Sequence, residues 1–286
     1  MIPFKVAGIG ELLWDLLPKG KQLGGAPCNF SYHACRAGCE TFVISAIGKD
    51  KSGKEILALF GELGLNFSFV QQTDGIPTGK VTVSLDAKGN PGYIIHENVA
   101  WDNIVWNSSL EELARNVDAV CFGSLAQRNS ISRHTILSFL QATKTECLRV
   151  FDINLRQSFY NYNIIFKSLE LANVLKLNDE ELPVVAEHLG LFGSENELLS
   201  QIMNLFNLKL IALTKGAMGS LLVTQNEQSF MEVPEVKIAD TVGAGDSFTA
   251  VLVAGLLQKH DLKKIHKTAT HLAAFVCTQD GAMPEY

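Results

Sequence analysis

A glycine turn that delivers a carboxylate to the start of a helix is the strongest chemical signal in the sequence. Residues 240–246 read Asp-Thr-Val-Gly-Ala-Gly-Asp, and the apolar run Ser247 to Leu257 follows at once. The first amides of a helix have no partner inside it and lie at the positive end of its dipole, so the Gly-Ala-Gly amides can face a phosphoryl anion. Asp246 then lies where an acceptor hydroxyl would lose its proton. The alternative is a tight turn in which Asp246 only caps the helix.

A second glycine segment is suited to a small hydroxylated ligand. Gly24-Gly25-Ala26-Pro27-Cys28-Asn29 precedes a helical stretch. The Gly25 backbone and the Asn29 amide can hydrogen-bond to hydroxyls, and Asp15, predicted near the C-terminal end of the first strand region, can accept from two of them. The alternative is an ordinary helix entry, with Asn29 as its cap and Asp15 in solvent.

Acidic and amide side chains follow the apolar run Val174 to Leu177. Asn178 and Glu181 come directly after it, and in an open α/β sheet ligands gather at the carboxyl ends of the strands. Mg²⁺ keeps much of its water and needs only one or two protein carboxylates, so this pair predicts a magnesium-phosphate site. A helix start enriched in acids would give the same pattern.

Two further segments at strand ends carry groups suited to a nucleotide. Arg156, in Asp152-Ile153-Asn154-Leu155-Arg156, offers a planar fork for phosphate oxygens, although a surface ion pair would also account for it. The stretch after Leu210 to Leu213 predicts contacts to a ribose and phosphates, with a hairpin turn as the alternative. The residues concerned are Thr214, Lys215, Gly216 and Gly219.

Two partial nucleotide motifs are interpreted as turns. Gly48 to Glu55 misses the pattern GxxxxGK[ST] by one residue, because Glu55 stands where a hydroxyl would hold magnesium. We expect a strand-to-helix turn there. Gly8-Ile9-Gly10 lacks the third glycine and the helix of a dinucleotide fingerprint.

The elements that position these residues alternate along the chain. Short apolar runs separated by helical patterns predict a mostly parallel sheet covered on both faces, because a sheet with one wet face would show period-two polarity. We therefore predict a doubly wound α/β fold flanked by helices, as a single domain over residues 1–286. The predicted strands are Lys5 to Ile9, Thr41 to Ile47, Ala119 to Gly123, Val150 to Ile153, Val174 to Leu177 and Leu210 to Leu213.

One segment departs from that alternation. Val81, Val83 and Leu85 alternate with polar residues, a turn Lys-Gly-Asn-Pro-Gly follows at 88–92, and residues 93–97 resume an extended pattern. A hairpin with one apolar face is not stable alone in water, so we predict a small β lid at about 80–100, with part of 10–25 as a candidate addition. The lid would cover a cleft or pair with its copy in a homodimer.

The composition is that of an ordinary soluble protein and excludes several partners. A formal net charge of −6 without a basic block disfavours nucleic acid and anionic membrane surfaces. No apolar stretch reaches the ~20 residues of a membrane span, and the first residues lack a secretory-signal pattern, so a cytoplasmic location is expected. The six cysteines have irregular spacings and are predicted to be buried thiols.

Together these motifs resemble those of the ribokinase-like (PfkB) carbohydrate kinases, over nearly the whole chain from Gly10-Glu11 to Gly281-Ala282-Met283-Pro284. The resemblance implies that the Gly-Ala-Gly turn forms an anion hole, that the last aspartate of the heptad is the base, that Asn-x-x-Glu organises magnesium and that Gly-Gly-x-x-x-Asn binds the sugar. On that likeness the roles fall to Gly243, Ala244, Gly245, Asp246, Asn178, Glu181, Gly25 and Asn29, with Asp15 joining the sugar contacts.

Within the family the motifs are most similar to those of fructokinases. The shared patterns are Gly-Glu near the N-terminus, Gly-Gly-Ala-Pro-x-Asn, Asp-x-Asn-Leu-Arg and Gly-Ala-Met-Pro. Ile153 stands where fructokinases usually carry proline. The family's monovalent cation site implies K⁺ near Asp240, Val242 and the segment before Gly281, and Asp280 departs from the usual pattern there.

The reaction implied is transfer of the γ-phosphoryl group of ATP, with Mg²⁺, to a primary hydroxyl of a free hexose, with fructose favoured. Residues 92–106 hold no Lys or Arg, so a neutral sugar is expected rather than a sugar phosphate. His96 and Glu97 are predicted to bind hydroxyls, whereas Trp101 and Trp106 are predicted to be packing residues. Ribose, 2-keto-3-deoxygluconate or a nucleoside as acceptor, and a catalytically silent sugar-binding protein, are the alternatives.

Overall fold

Two β-sheets organise the structure, a computed structural model that describes residues 2–17, 20–85 and 91–286. The strands within these residues are β1 (Lys5–Ile9), β2 (Leu13–Leu17), β3 (Gly20–Gly24), β4 (Glu40–Gly48), β5 (Val70–Thr73), β6 (Gly79–Leu85), β7 (Pro91–Ile95), β8 (Ala119–Phe122), β9 (Leu148–Asp152), β10 (Val174–Asn178), β11 (Leu210–Thr214), β12 (Ser220–Val223) and β13 (Gln228–Met231). The helices are α1 (Ala26–Arg36), α2 (Lys51–Leu63), α3 (Ser108–Asn116), α4 (Ser130–Ala142), α5 (Tyr162–Leu171), α6 (Glu181–Leu189), α7 (Glu195–Leu205), α8 (Ala244–Leu257) and α9 (Leu262–Cys277).

The larger sheet is mostly parallel, as predicted. Its order is β13-β12-β11-β10-β9-β8-β1-β4-β5, and every pairing from β5 to β11 is parallel, whereas β12 and β13 are antiparallel additions at one edge. The six apolar runs predicted as strands correspond to β1, β4, β8, β9, β10 and β11. The α/β fold class is therefore confirmed.

Helices cover both faces of the larger sheet, which is why its strands are apolar throughout. Successive residues of β1 point to opposite faces: Ala7 packs into a cluster with α3 to α7, and Val6 packs into a cluster with α1, α8 and α9. Both residues are fully buried. This arrangement places the carboxyl ends of the parallel strands along one edge of the sheet.

The helices begin in different ways. Asp50, Asn107, Asn161 and Asp261 each accept a hydrogen bond from a main-chain amide in the first turn of the helix that follows. Helix α8 has no such side-chain cap and begins at Gly243, whose φ of 80° is left-handed. Among the described residues, the Gly245 and Asp246 amides are therefore left open to another acceptor.

The smaller sheet has the order β3-β2-β6-β7 and contains the predicted hairpin. Strands β6 and β7 are antiparallel, and β2 pairs with β6 in parallel and with β3 in antiparallel fashion. Of the predicted turn, residues 88–90 lie outside the described residues. Asp15 was predicted near the end of the first strand but lies within β2, because this segment pairs with β6, about 65 residues away in sequence.

The remaining expectations concern the cysteines, membrane-spanning segments and the tryptophans. All six cysteines are free thiols; Cys28, Cys39, Cys121 and Cys147 are buried as expected, whereas Cys35 and Cys277 are half-buried. Among the described residues, no helix combines the length and apolar character required to cross a membrane. Trp101 is fully buried in the core, and Trp106 is partly buried and packs against that core, as expected for packing residues.

Candidate active site

A cleft of about 1440 Å³ lies between the carboxyl edge of the larger sheet and the smaller sheet. It brings together most of the residues predicted from sequence, although they come from distant parts of the chain. The predicted residues that line it are Asp15, Gly25, Asn29, Arg156, Asn178, Glu181, Thr214, Gly216, Gly219, Asp240, Val242, Gly243, Ala244, Gly245 and Asp246.

Asp246 lies in the first turn of α8 and faces the cleft. The Ala244 amide donates to Thr241 O over 3.4 Å, and the Ser247 amide donates to Gly243 O over 2.8 Å. Within the described part of the chain, the Gly245 and Asp246 amides have no such partner, as is usual at a helix start. The alternative interpretation was that this carboxylate caps the helix. Helix α8 has no side-chain cap, and the carboxylate instead accepts from Asn29 Nδ2 over 2.8 Å.

The surroundings of Asp246 favour proton uptake. The pKa of its carboxyl is raised to about 7, mainly by burial and further by the nearby negative charge of Asp152, while the Asn29 hydrogen bond and the Lys176 ammonium act in the opposite direction. A carboxyl with a pKa near neutrality is suited to general base catalysis at neutral pH.

Lys176 is a site residue that the sequence analysis missed. It lies in β10, is 8% exposed, and its Nζ donates to Asp152 Oδ1 over 3.0 Å. Asp152 in turn accepts from Thr249 Oγ1 over 2.9 Å, which ties β9, β10 and α8 together. A Cβ added to Gly245 would lie 2.9 Å from Lys176 Nζ, so glycine at that position lets the ammonium approach the turn.

The carboxylates around Lys176 keep its ammonium charged. Burial alone lowers the pKa of Lys176, but the negative charges of Asp152, Glu181 and Asp246 outweigh it, and the pKa is raised overall. The cleft therefore has a fixed positive charge beside the amides of α8. In an otherwise apolar strand, a lone lysine carries no sequence pattern that distinguishes this arrangement from a solvated side chain.

Asn178 and Glu181 hold each other in a reciprocal arrangement. The Glu181 amide donates to Asn178 Oδ1 and the Asn178 amide donates to Glu181 Oε2, both over 2.8 Å. The other carboxylate oxygen, Oε1, accepts from the Leu155 amide over 2.9 Å. Because main-chain amides occupy both carboxylate oxygens, the pair fits a magnesium ion held through water better than a directly ligated one. The described residues contain no cluster of three or more acidic, His or Cys side chains arranged for a metal.

Arg156 projects into the cleft from a strained connection after β9. The flanking residues Asn154 and Gln157 have φ values of 43° and 49°, which are left-handed. The guanidinium is exposed, and Nη1 donates to Leu155 O over 3.3 Å. Among the described residues Arg156 forms no ion pair, so the alternative interpretation of this residue as part of a surface ion pair is wrong. Its planar fork faces the cleft.

Carboxylates characterise the end of the cleft near the smaller sheet. Glu11 is 3% exposed, and its Oε1 accepts from the Ala26 amide over 3.2 Å, whereas Oε2 has no partner among the described residues. Burial raises the pKa of Asp15 to about 6, against the positive charge of Arg156. Gly25 has a φ of 118°, and a Cβ there would lie 2.4 Å from Glu11 O, so only glycine fits. Glu11 belongs to the Gly10-Glu11 motif, for which no role in the site was predicted.

Glycines and apolar side chains characterise the opposite end. Gly219 has a φ of 108°, and a Cβ there would lie 2.5 Å from Met231 O. Because β11 and β12 pair as antiparallel neighbours, the hairpin interpretation of this connection is also correct. Lys215 does not line the cleft, since its Nζ donates to Glu195 Oε1 over 2.6 Å. Residues missed here carry no motif: Val233, Pro234, Val236, Ile238, Ala273, Ala274 and Cys277.

Two predicted sugar contacts lie outside the cleft. His96 Nε2 is 3.0 Å from Thr82 Oγ1, and the His96 carbonyl accepts from Arg128 Nη2 over 2.6 Å. Glu97 is exposed. Both follow the end of β7, where the chain turns away toward the 3₁₀ turn Ala100–Asn103, and alternation along a strand does not predict that change of direction.

The segment Gly48 to Glu55 forms the strand-to-helix turn that was expected. Asp50 accepts from the Gly53 amide over 2.8 Å at the start of α2, and Glu55 pairs with Lys21 of β3. None of these residues lines the cleft.

Both carboxylate oxygens of Asp240, in the turn before α8, accept hydrogen bonds from main-chain amides. Its Oδ1 accepts from the Val242 amide over 3.0 Å, and its Oδ2 accepts from the Gly281 amide over 3.3 Å. The predicted cation-binding segments therefore do meet in space. Main-chain carbonyls in this loop are the groups that would coordinate a monovalent ion.

Comparison with known proteins places the chain in a family. The family model described as "pfkB family carbohydrate kinase" matches residues 20–285. The chain therefore belongs to the pfkB family of carbohydrate kinases, as the sequence motifs implied.

Individual relatives agree with this assignment. A putative sugar kinase of Pyrococcus horikoshii is 28% identical, with 97% of this chain and 91% of the relative covered. Its crystal structure in complex with ATP has a TM-score of 0.82 at 26% identity, over 97% and 94% of the two chains. The fructokinase of Salmonella typhimurium is 28% identical over 98% of this chain and 95% of its own.

A second solved protein shares the fold. It is a fructokinase double mutant of Vibrio cholerae O395 with fructose, ADP and potassium ion bound, and it has a TM-score of 0.81 at 23% identity, over 98% and 94% of the two chains. At that identity the likeness shows the fold alone.

Proposed function

We propose that this protein transfers the γ-phosphoryl group of ATP to a primary hydroxyl of a free neutral sugar, with fructose as the preferred acceptor and fructose 6-phosphate as the product. The observation that carries the proposal is the position of Asp246, which faces a cleft beside the open amides of α8 and has a pKa raised to about 7. ATP binding by the P. horikoshii relative and the name of the S. typhimurium relative support the nucleotide and the sugar.

The chain's own residues account for each part of the transfer. Asp246 takes the hydroxyl proton as the sugar oxygen forms its bond to the γ-phosphorus, and the bond from that phosphorus to the bridging oxygen breaks to release ADP. The Gly243, Ala244 and Gly245 turn and Lys176 stabilise the charge on the transferred group, and Arg156 holds the phosphates. Bound through water near Asn178 and Glu181, Mg²⁺ would supply further charge neutralisation. We also expect K⁺ beside Asp240 and Val242.

Binding is divided between the two ends of the cleft. Asp15, Gly25 and Asn29 bind the sugar, and the nucleotide lies toward Thr214, Gly216 and Gly219. Closure of the smaller sheet over the sugar would exclude water that could otherwise consume ATP.

Charge favours a neutral acceptor over a sugar phosphate. Among the described residues, the cations lining the cleft are Arg156 and Lys176, and Lys176 is already paired with Asp152. The sugar end instead presents the carboxylates of Glu11 and Asp15. These accept hydrogen bonds from hydroxyls and repel a second phosphate.

The test is turnover of Mg-ATP with a panel of acceptors: fructose, ribose, 2-keto-3-deoxygluconate, adenosine and fructose 6-phosphate, each with and without K⁺. ADP formation gives the rate, and phosphorus NMR identifies the product. Fructose is expected to give the highest kcat/KM. A preference for fructose 6-phosphate would refute the neutral-sugar proposal, and sugar binding without turnover of any acceptor would indicate a silent binding protein.

The smaller sheet is also proposed to pair with its copy in a homodimer. Its outer side chains include Leu16 and Ile94, which are 37% and 48% exposed. Sedimentation velocity should show a dimer for the wild-type protein and a shift toward monomer for Ile94→Ser. A wild-type monomer at high concentration would contradict this part of the proposal.

A further inference from the structure

Helix α1 reaches the catalytic turn at two points on the same face. Asn29 and His33 are four residues apart, so their side chains lie one above the other. Asn29 Nδ2 donates to Asp246 Oδ2, and His33 Nε2 lies 2.8 Å from Ala282 O. The first contact holds the proposed base directly, and the second holds a segment, Gly281 to Tyr286, that the proposed function has not used.

The hydrogen bonds of His33 fix its protonation state. The side chain is fully buried. A carbonyl oxygen can only accept, so Nε2 carries the proton that is donated to Ala282 O, and Nδ1 accepts from the Tyr286 hydroxyl over 2.8 Å. Burial lowers the pKa of His33 to about 4, which keeps the ring neutral at neutral pH. The ring also stacks on Tyr286, with centroids 5.8 Å apart.

Ala282 supports the anion-binding turn from behind. A Cβ added to Gly243 would lie 2.6 Å from Ala282 Cβ and 2.8 Å from Ala282 O, so the two backbones are in close contact. The neighbouring Gly281 amide donates to Asp240, at the other end of the same turn. The position of the turn therefore depends on where Gly281 and Ala282 are held.

We propose that His33 is a positioning residue for phosphoryl transfer. Through Ala282, His33 fixes the position of the Gly243 turn, and Asn29 of the same helix, α1, holds Asp246. The two contacts together set the position of the turn relative to the carboxylate. The inference rests on the proposed kinase function. Without the His33 bond, the base would stay in place while the amides opposite it lose their support. Displacement of catalytic groups by about 1 Å can cost roughly 100-fold in rate.

The test compares His33→Leu with His33→Gln. Leucine fills similar space but cannot donate to Ala282 O, whereas the glutamine amide nitrogen can occupy the place of Nε2. His33→Leu is expected to lower kcat about 10- to 100-fold with the sugar KM within about threefold, because Asp15, Gly25 and Asn29 are untouched. His33→Gln should recover most of the loss. Wild-type kcat in His33→Leu, or equal loss in both variants, would overturn the proposal.

Hydrogen exchange supplies a readout that does not depend on kinase activity. His33→Leu should speed exchange of the amides at 240–246, and His33→Gln should not. Thr135→Val is the control, since it removes another fully buried hydrogen bond, from Thr135 Oγ1 to Ile104 O over 2.6 Å, far from the turn. If the wild-type protein phosphorylates no acceptor, the proposed function fails on its own account. Unchanged exchange in His33→Leu would then still refute the role of His33 in holding the turn.

Discussion

The two sides of the cleft are built differently. On the larger sheet, Asp152, Lys176 and Glu181 are buried and each is hydrogen-bonded to a residue of another segment. The smaller sheet leaves apolar side chains such as Ile94 exposed to solvent, and its contacts with the other side include the bond from Gln157 Nε2 to Tyr93 O over 2.6 Å. Charge stabilisation needs groups already in place, whereas sugar binding can tolerate movement. Changes on the first side should therefore lower turnover, and changes on the second should weaken sugar binding.

The largest effect is expected for Asp246→Ala. Without the proposed base, kcat should fall by ~10² to 10⁴ with little change in sugar affinity. Steady-state kinetics and calorimetric sugar titration check the two quantities separately. Near-normal turnover would remove Asp246 from the mechanism.

Asp261→Ala is the matched control for this change. Asp261 caps α9 by accepting from the Lys264 amide over 2.8 Å, away from the cleft. Its loss should reduce the free energy of unfolding by about 1 kcal/mol and leave kcat unchanged. The pair of variants thus distinguishes catalysis from helix capping.

Lys176→Met should give the next largest effect, with kcat lowered about 100-fold because a fixed positive charge beside the transferred phosphoryl group is lost. The same change removes a charge that lowers the pKa of Asp246, so the acidic limb of the pH profile should move to higher pH. Lys144→Met, at a surface pair with Asp118, should change neither quantity. An unshifted pH profile would mean that Lys176 acts only on the fold.

Asp15→Asn tests the other side of the cleft. The substitution replaces a carboxylate acceptor by an amide of the same shape, and it should raise the sugar KM about tenfold while kcat changes much less. Asp74→Asn, at an exposed ion pair with Lys49, is the control and should leave KM unchanged. A loss confined to kcat would contradict the division between the two sides.

The smallest effect is expected from pH. Since the pKa of Asp15 is raised to about 6, its carboxyl gains a proton as the pH falls from neutral to mildly acidic values. A protonated carboxyl still accepts hydrogen bonds, so the sugar KM should rise only about threefold between pH 7 and pH 5. The rise should be absent in Asp15→Asn, and an equal rise in that variant would assign the effect to another group.

The side of the cleft that carries the chemistry was also the side that the sequence predicted best. Its strands are short apolar runs, and its turn is a local heptad that ends in Asp246, so neighbouring residues contain most of the information. Glu181 and Asn178 follow a predicted strand in the same way. These features depend on local backbone preference and on the sheet edge at which parallel strands end.

The residues that the sequence did not predict depend on contacts between distant segments. Strand β2 forms because Leu13 pairs with Gly79, and Lys176 is a site residue because Asp152 and Gly245 lie beside it. His96 was placed in the cleft by extending a strand pattern past Ile95, where the strand in fact ends. Tertiary pairing of this kind leaves no periodic signal in one sequence.

The most direct measurement is a crystal structure with fructose, Mg²⁺ and a non-hydrolysable ATP analogue bound. The account predicts a primary hydroxyl of the sugar at about 2.6–3.2 Å from the Asp246 carboxylate, with the terminal phosphate against the Gly245 and Asp246 amides. A sugar whose hydroxyls all face away from Asp246, or a triphosphate bound outside the cleft, would contradict it.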